Sequence, residues 1–187
     1  MAMPTATYTR TAIALHWILA LLVGVMIALG LYMTDLPRNT PDRGWYFNLH
    51  KSLGLAAAAI ILLRVVWRLR FTPPPHSLAT PPWQAAAAMI SHLALYACMV
   101  IMPLAGYLGS AFNKYGVKFF GVALPNWAWD DPRLREIFVT VHHWTARLLI
   151  ALIVVHIAAA LYHAVRRDGV FRRMWFSAAR SGSLRQS

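Results

Sequence analysis

A single cysteine, Cys98, stands among 187 residues, so no disulfide, thiolate cluster or paired redox motif forms within the chain. Cys98 lies in an apolar run and reads as a small packing residue. Acidic residues are almost as scarce: the six are Asp35, Asp42, Asp130, Asp131, Glu136 and Asp168, and none falls inside an apolar run. Transporters rely on acidic groups or broken helices at the membrane midplane, so that class loses its chemical basis here. A Gly-rich phosphate loop, a nucleophile elbow and a zinc-ligand spacing are also missing.

What is present is apolar. Hydrophobic residues make up 59% of the chain and charged ones 13%, with a mean hydropathy of +0.50, outside the range of ordinary soluble domains. Four windows reach the twenty or so apolar residues that a spanning helix needs, at about 12–33, 48–70, 88–112 and 138–165. The first has no small-residue cleavage site and is too long for a signal peptide, so it is expected to stay as a helix. The fold class expected is an all-α membrane protein, a four-transmembrane-helix bundle. Residues 1–175 form that unit, and 176–187 form a short basic tail.

Eighteen Lys and Arg against six acids leave a formal charge of +12, and the excess is sorted by side. The termini and the connector between the second and third helices hold ten basic residues against Asp168 alone; the other two loops hold seven against five acids. By the positive-inside rule both termini are expected on the cytoplasmic side. The tail, with Phe171, Met174, Trp175 and Phe176 among arginines, reads as an amphipathic segment on the anionic inner leaflet.

Histidine is the one intramembrane chemistry on offer. The last window, VHHWTARLLIALIVVHIAAALYHAV, carries His142, His143, His156 and His163. Ionisable side chains at such depth are costly and generally functional. At about 100° per residue, the step from His142 to His156 leaves the two within roughly 40° of each other, whereas His143 to His156 is about 140° apart. The first pair shares a face, about 21 Å apart along the axis and inside a hydrocarbon core of about 30 Å. That is the layout of two stacked haems with one ligand each from this helix. Alternating topology puts His16 at the inner level with His156 and His50, in the first turn of the second helix, at the outer level with His142. Two imidazoles fill both axial positions of an iron, so electron transfer rather than oxygen binding is the expected role.

Other residues fall around these pairs. His92 is expected beside the inner pair, and His163 at a haem edge or quinone pocket. Arg64 and Arg68 are expected as cytoplasmic anchors, with propionate or quinone contacts as the functional alternative. Gly54 and Ala56 to Ala59 leave room for a flat porphyrin or for close helix packing; Pro103 marks a kink, and Gly106 and Gly109 mark close contacts. In the long external loop, Lys114 and Lys118 amid aromatic residues read as an interfacial belt or as a mouth that concentrates a small anion. His76 lies in a proline-rich connector and receives no role.

The strings LHW around His16, LHKSLG around His50, SHLALY and MPLAGYLG in the third helix, and HHW with VVHIAAALYH in the fourth resemble the bacterial cytochrome b561 family over roughly residues 8–175. The resemblance implies four helices holding two haem b groups, axial ligands at His16, His50, His142 and His156, and roles for His163 and His92 near the inner haem or quinone. It further implies a superoxide oxidase activity, with electrons passing from external superoxide to ubiquinone. His143 stands where the family usually has an acidic residue, which leaves His142 and His143 as alternative ligand registers, the helical geometry favouring His142. Two rival readings are a di-haem membrane-anchor subunit that exchanges electrons between a quinone and a separate redox partner protein, and a purely structural helical bundle.

Overall fold

The computed structural model describes residues 7–72, 74 and 81–175; His76 and the tail 176–187 lie outside them. Four long helices dominate: α1 (Arg10–Asp35), α2 (Pro41–Arg70), α3 (Pro82–Ala111) and α4 (Pro132–Arg166). Each is long and apolar enough to cross a membrane. A two-residue hairpin, β1 (Lys118–Phe119) with β2 (Val122–Ala123), sits between α3 and α4, and a 3-10 turn, Phe171–Met174, follows α4.

The starts of α2, α3 and α4 come six or seven residues before the apolar windows, because capping chemistry rather than hydropathy sets them. All three begin with proline at the first helical position, where a missing N–H costs nothing. Thr40 accepts from Arg43 N, and Asp131 from Arg133 N and Leu134 N, satisfying amides that the helix leaves open. Asp131 is held below the usual carboxylate range, chiefly by the Leu134 amide and then the Arg133 amide. His50 therefore lies in the third turn of α2, which corrects its expected place in the first turn.

Packing is uneven around the bundle. Helix α3 lies along α4, α1 along α2, and α2 touches α3. The α3–α4 seam is close because Gly109 leaves no room for a Cβ, which would meet Val139 Cγ2 at 3.2 Å. Cys98 and Ala105 are buried on α3 too, and Cys98 is free, as its packing role requires. A small cluster of Leu19, Ala57 and Ile61 joins α1 to α2. Most large apolar side chains instead face outward, as they do where lipid is the solvent.

The hairpin turns through Phe120 and Gly121, both at positive φ (45° and 92°), the geometry a two-residue turn needs. It is fastened to α2 by Ser52, only 1% exposed, whose hydroxyl donates to Asn48 O (2.8 Å) and accepts from Phe120 N (2.9 Å). Lys51 Nζ adds a bond to Gly116 O at 3.2 Å. The loop that looked like a headgroup belt is thus pinned beside His50. Replacing Ser52 by alanine leaves the Phe120 amide unpaired and should cost about 1–2 kcal/mol; amide exchange of Phe120 is expected to accelerate while the α3–α4 seam keeps its protection.

Candidate functional site

Helix α4 is held by α3, yet among the described residues it makes no comparable packing with α1 or α2. A slot runs between them, bridged by imidazoles. His50 of α2 faces His142 of α4 with ring centres 6.2 Å apart and planes at 77°. His16 of α1 faces His156 of α4, also at 6.2 Å, with planes at 70°. Metal–imidazole bonds of about 2.0–2.1 Å on both sides of one ion, plus roughly 1.1 Å from each nitrogen to its ring centre, put two rings about 6.3 Å apart. Both gaps have the width of a single metal. No group of three or more His, Cys, Asp or Glu among the described residues is arranged to hold a bare ion. Facing pairs therefore suit a metal that brings its own in-plane ligands.

The rings are oriented unequally. His142 Nδ1 lies 3.0 Å from the Met102 carbonyl, an acceptor only, so Nδ1 carries the proton and the other nitrogen is left bare for a metal. Gly106 makes that approach possible: a Cβ there would stand 3.1 Å from Nδ1 and 3.2 Å from Cε1 of His142. Gly30 gives His50 similar clearance, with Cε1 at 3.4 Å. His50 Nδ1 is buried without a partner, on the side of the ring toward Gly30. His16 Nδ1 instead lies 3.3 Å from the Arg64 guanidinium, which donates to Ala12 O at 3.0 Å.

Of the other expected residues, His92 joins the inner pair, its ring 5.7 Å from that of His156. His143 is exposed on the outward side of α4, so the slot faces His142. His163 lies beyond the slot, its Nδ1 2.6 Å from Asp168 Oδ2. Burial pushes the Asp168 carboxyl up, but the His163 bond and the Val170 amide together carry it below its ordinary value. Arg64 and Arg68 both approach the Tyr96 ring, at 5.9 and 5.1 Å, and line a cleft of about 120 Å³ with Tyr8 and Trp67.

At the outer end, Lys118 is exposed and, with Arg135, acts electrostatically on Lys51. Lys114 turns to the Tyr115 ring, 5.2 Å away. Lys51 was missed in the sequence, although it directly follows His50. Arg147 was missed as well: it is exposed on α4 between the two histidine levels, stacked 4.6 Å from Trp144.

The sequence profile described as Prokaryotic cytochrome b561 matches residues 7–177. The chain belongs to that family. Cytochrome b561 homolog 2 of Escherichia coli (strain K12) is 33% identical over 173 residues, covering 89% of this chain and 90% of that protein. Cytochrome b561 homolog 1 of the same organism is 24% identical over 89% of this chain and 96% of its own length. The "Probable superoxide oxidase CybB" of Yersinia pestis is likewise 24% identical, over 89% and 94%. As a cytochrome b561, this is a bacterial membrane protein that binds b-type haem and carries electrons.

Two tests follow from the geometry. Gly106→Val should push His142 off the Met102 carbonyl and lower bound haem per polypeptide, measured by pyridine haemochrome assay, while His16 and His156 stay in place. Asp168, depressed in the folded state, contributes stability that is present above the unfolded value of about 3.9 and is lost as pH falls through the lower folded value. Tryptophan fluorescence of the native protein should show that acid step, through Trp17 and Trp175 at the same end, and Asp168→Asn should lack it.

Proposed function

We propose that the slot holds two haem b groups and that the protein oxidises superoxide at one membrane face and reduces ubiquinone at the other. His50 and His142 would hold the outer haem, His16 and His156 the inner. The observation that carries this is the pair of equal 6.2 Å gaps, built from different helices against one shared α4. Each haem would supply a one-electron couple, and its retention by two imidazoles, His50 with His142 or His16 with His156, would favour electron transfer over oxygen binding.

The chain's own residues do the rest. Lys51, next to His50 in the chain, lies within electrostatic reach of Arg135 and Lys118, and a small anion such as superoxide would be drawn to this cationic group. Lys118 keeps the steering role expected for it; Lys114 contributes charge from further out. His163 and Asp168 form a hydrogen-bonded pair at the opposite end, suited to passing a proton to a quinone that takes up electrons there. Two superoxide ions give up one electron each, and the quinone takes both together with two protons. His92 supports the inner pair. Arg64 and Arg68 line the cleft on that side, within reach of anionic groups. The arginine-rich end carrying both termini faces the cytoplasm of an inner membrane.

One observation favours a second reading, a cytochrome b anchor subunit that passes electrons between a quinone and a separate redox protein. His143, Trp144 and Arg147 expose polar groups on a lipid-facing side of α4, where a partner helix would shelter them. Recovery of a stoichiometric partner with the native protein separates this reading from the first.

The direct test is a reduced-minus-oxidised absorption spectrum with haem counted per chain. Two low-spin haems are expected, falling to one in His50→Ala; a single haem in the native protein would end the proposal. Lys51→Gln with Lys118→Gln should slow haem reduction by superoxide about tenfold at low ionic strength and flatten its dependence on salt. Unchanged stopped-flow rates would remove the steering role.

A further inference from the structure

The two ends of the slot differ in what stands behind the imidazoles, and the difference bears on which way electrons run. Behind His142 is a neutral acceptor, the Met102 carbonyl at 3.0 Å. A ligand imidazole that donates to a carbonyl becomes more basic and gives more electron density to its metal, which favours the oxidised state. Behind His16 is a cation. The Arg64 guanidinium reaches within 3.3 Å of His16 Nδ1, is anchored by Ala12 O at 3.0 Å, and lies 5.9 Å from the centre of the Tyr96 ring. Arginine only donates hydrogen bonds. With iron on the far nitrogen, His16 would carry its proton on Nδ1 and offer Arg64 no acceptor; the bond to Ala12 O is what keeps the charge beside the ligand.

No acidic side chain among the described residues pairs with it. The one ion pair among the described residues is His163 with Asp168, and the other five acids, Asp35, Asp42, Asp130, Asp131 and Glu136, all belong to the opposite end of the bundle. Arg64 is half-buried on α2 within the apolar span, where low dielectric lengthens the reach of a charge. A fixed positive charge next to an iron centre opposes ferric iron more than ferrous. Burial and hydrogen bonding around the ligands are the means by which a protein sets such potentials.

We infer that Arg64 sets the order of the two haem potentials: it makes the His16/His156 site the stronger electron acceptor and leaves the His50/His142 site the weaker. Arg64 acts through His16 and touches neither substrate nor iron; it is a positioning and tuning residue. The inference rests on the proposed haem assignment and gives the flow from the Lys51 end toward the His163 end a cause in one side chain.

Optical redox titration of the haem-loaded protein, with haem counted in the same samples, tests it. With Arg64 intact, the inner haem, isolated in His142→Ala, should titrate at a higher potential than the outer haem, isolated in His16→Ala. Arg64→Gln should lower one of the two midpoints by at least tenfold in electron affinity, about 59 mV for a one-electron couple, and leave the other in place. The same shift should recur in the Arg64→Gln, His142→Ala protein, and Arg64→Lys should recover most of it. An outer haem of higher potential, an unmoved pair, or an equal shift of both overturns the inference while leaving two haems counted. Should Arg64→Gln fail to bind two haems, the order of potentials in the two single-haem proteins decides. Fewer than two haems in the native protein would overturn the haem assignment and this inference together.

Discussion

The separation between facing imidazoles is the constraint on which this bundle turns. Helix α1 and helix α2 approach α4 at different heights and from different directions, yet each stops with its histidine ring 6.2 Å from its counterpart. Such agreement is not what apolar packing tends to produce, since packed side chains close gaps. Here the gap is kept open, and the work of holding α4 falls on α3, through the small-residue seam at Ala105 and Gly109. Gly106 serves both purposes: it lets α3 come near α4 and clears the space through which His142 reaches a backbone carbonyl.

This division of labour explains the thin core. Among the described residues only a few apolar side chains are buried, and α4 has almost no direct hold on α1 and α2. In lipid there is little hydrophobic gain from pressing such helices together, because acyl chains solvate leucine as well as another helix does. On the proposed assignment, a flat apolar cofactor in the slot would supply the contacts that the helices forgo, and anything that binds only the folded state stabilises it.

Much of this was legible in the sequence, for reasons that are physical. The fourteen-residue step between His142 and His156 depends only on helical pitch, and the four apolar runs only on the thickness of a bilayer. Pairing by depth followed from alternating topology, and the structure brings together the same four rings. Hydropathy could not find the helix starts, because Pro41, Pro82 and Pro132 with their caps lie outside the apolar windows; proline at the first helical position was the signal available. The Met102 carbonyl and the Arg64 contact were illegible, since they join residues 40 and 48 positions apart that only the packing of separate helices brings together. Lys51 was overlooked beside a more conspicuous histidine, and Arg147 because a single cation hardly lowers the hydropathy of so apolar a run.

The fourteen-residue spacing along α4 also has an electrical meaning. On the proposed orientation, an electron that moves from the level of His142 to that of His156 covers about 21 Å of a layer about 30 Å thick. A full crossing against a voltage that is negative inside costs about 2.3 kcal/mol per 100 mV, so this step meets roughly two thirds of that figure. The helix that carries both histidines thereby sets how strongly an energised membrane resists the flow, and the same protein would pass electrons more freely in a cell whose voltage has collapsed.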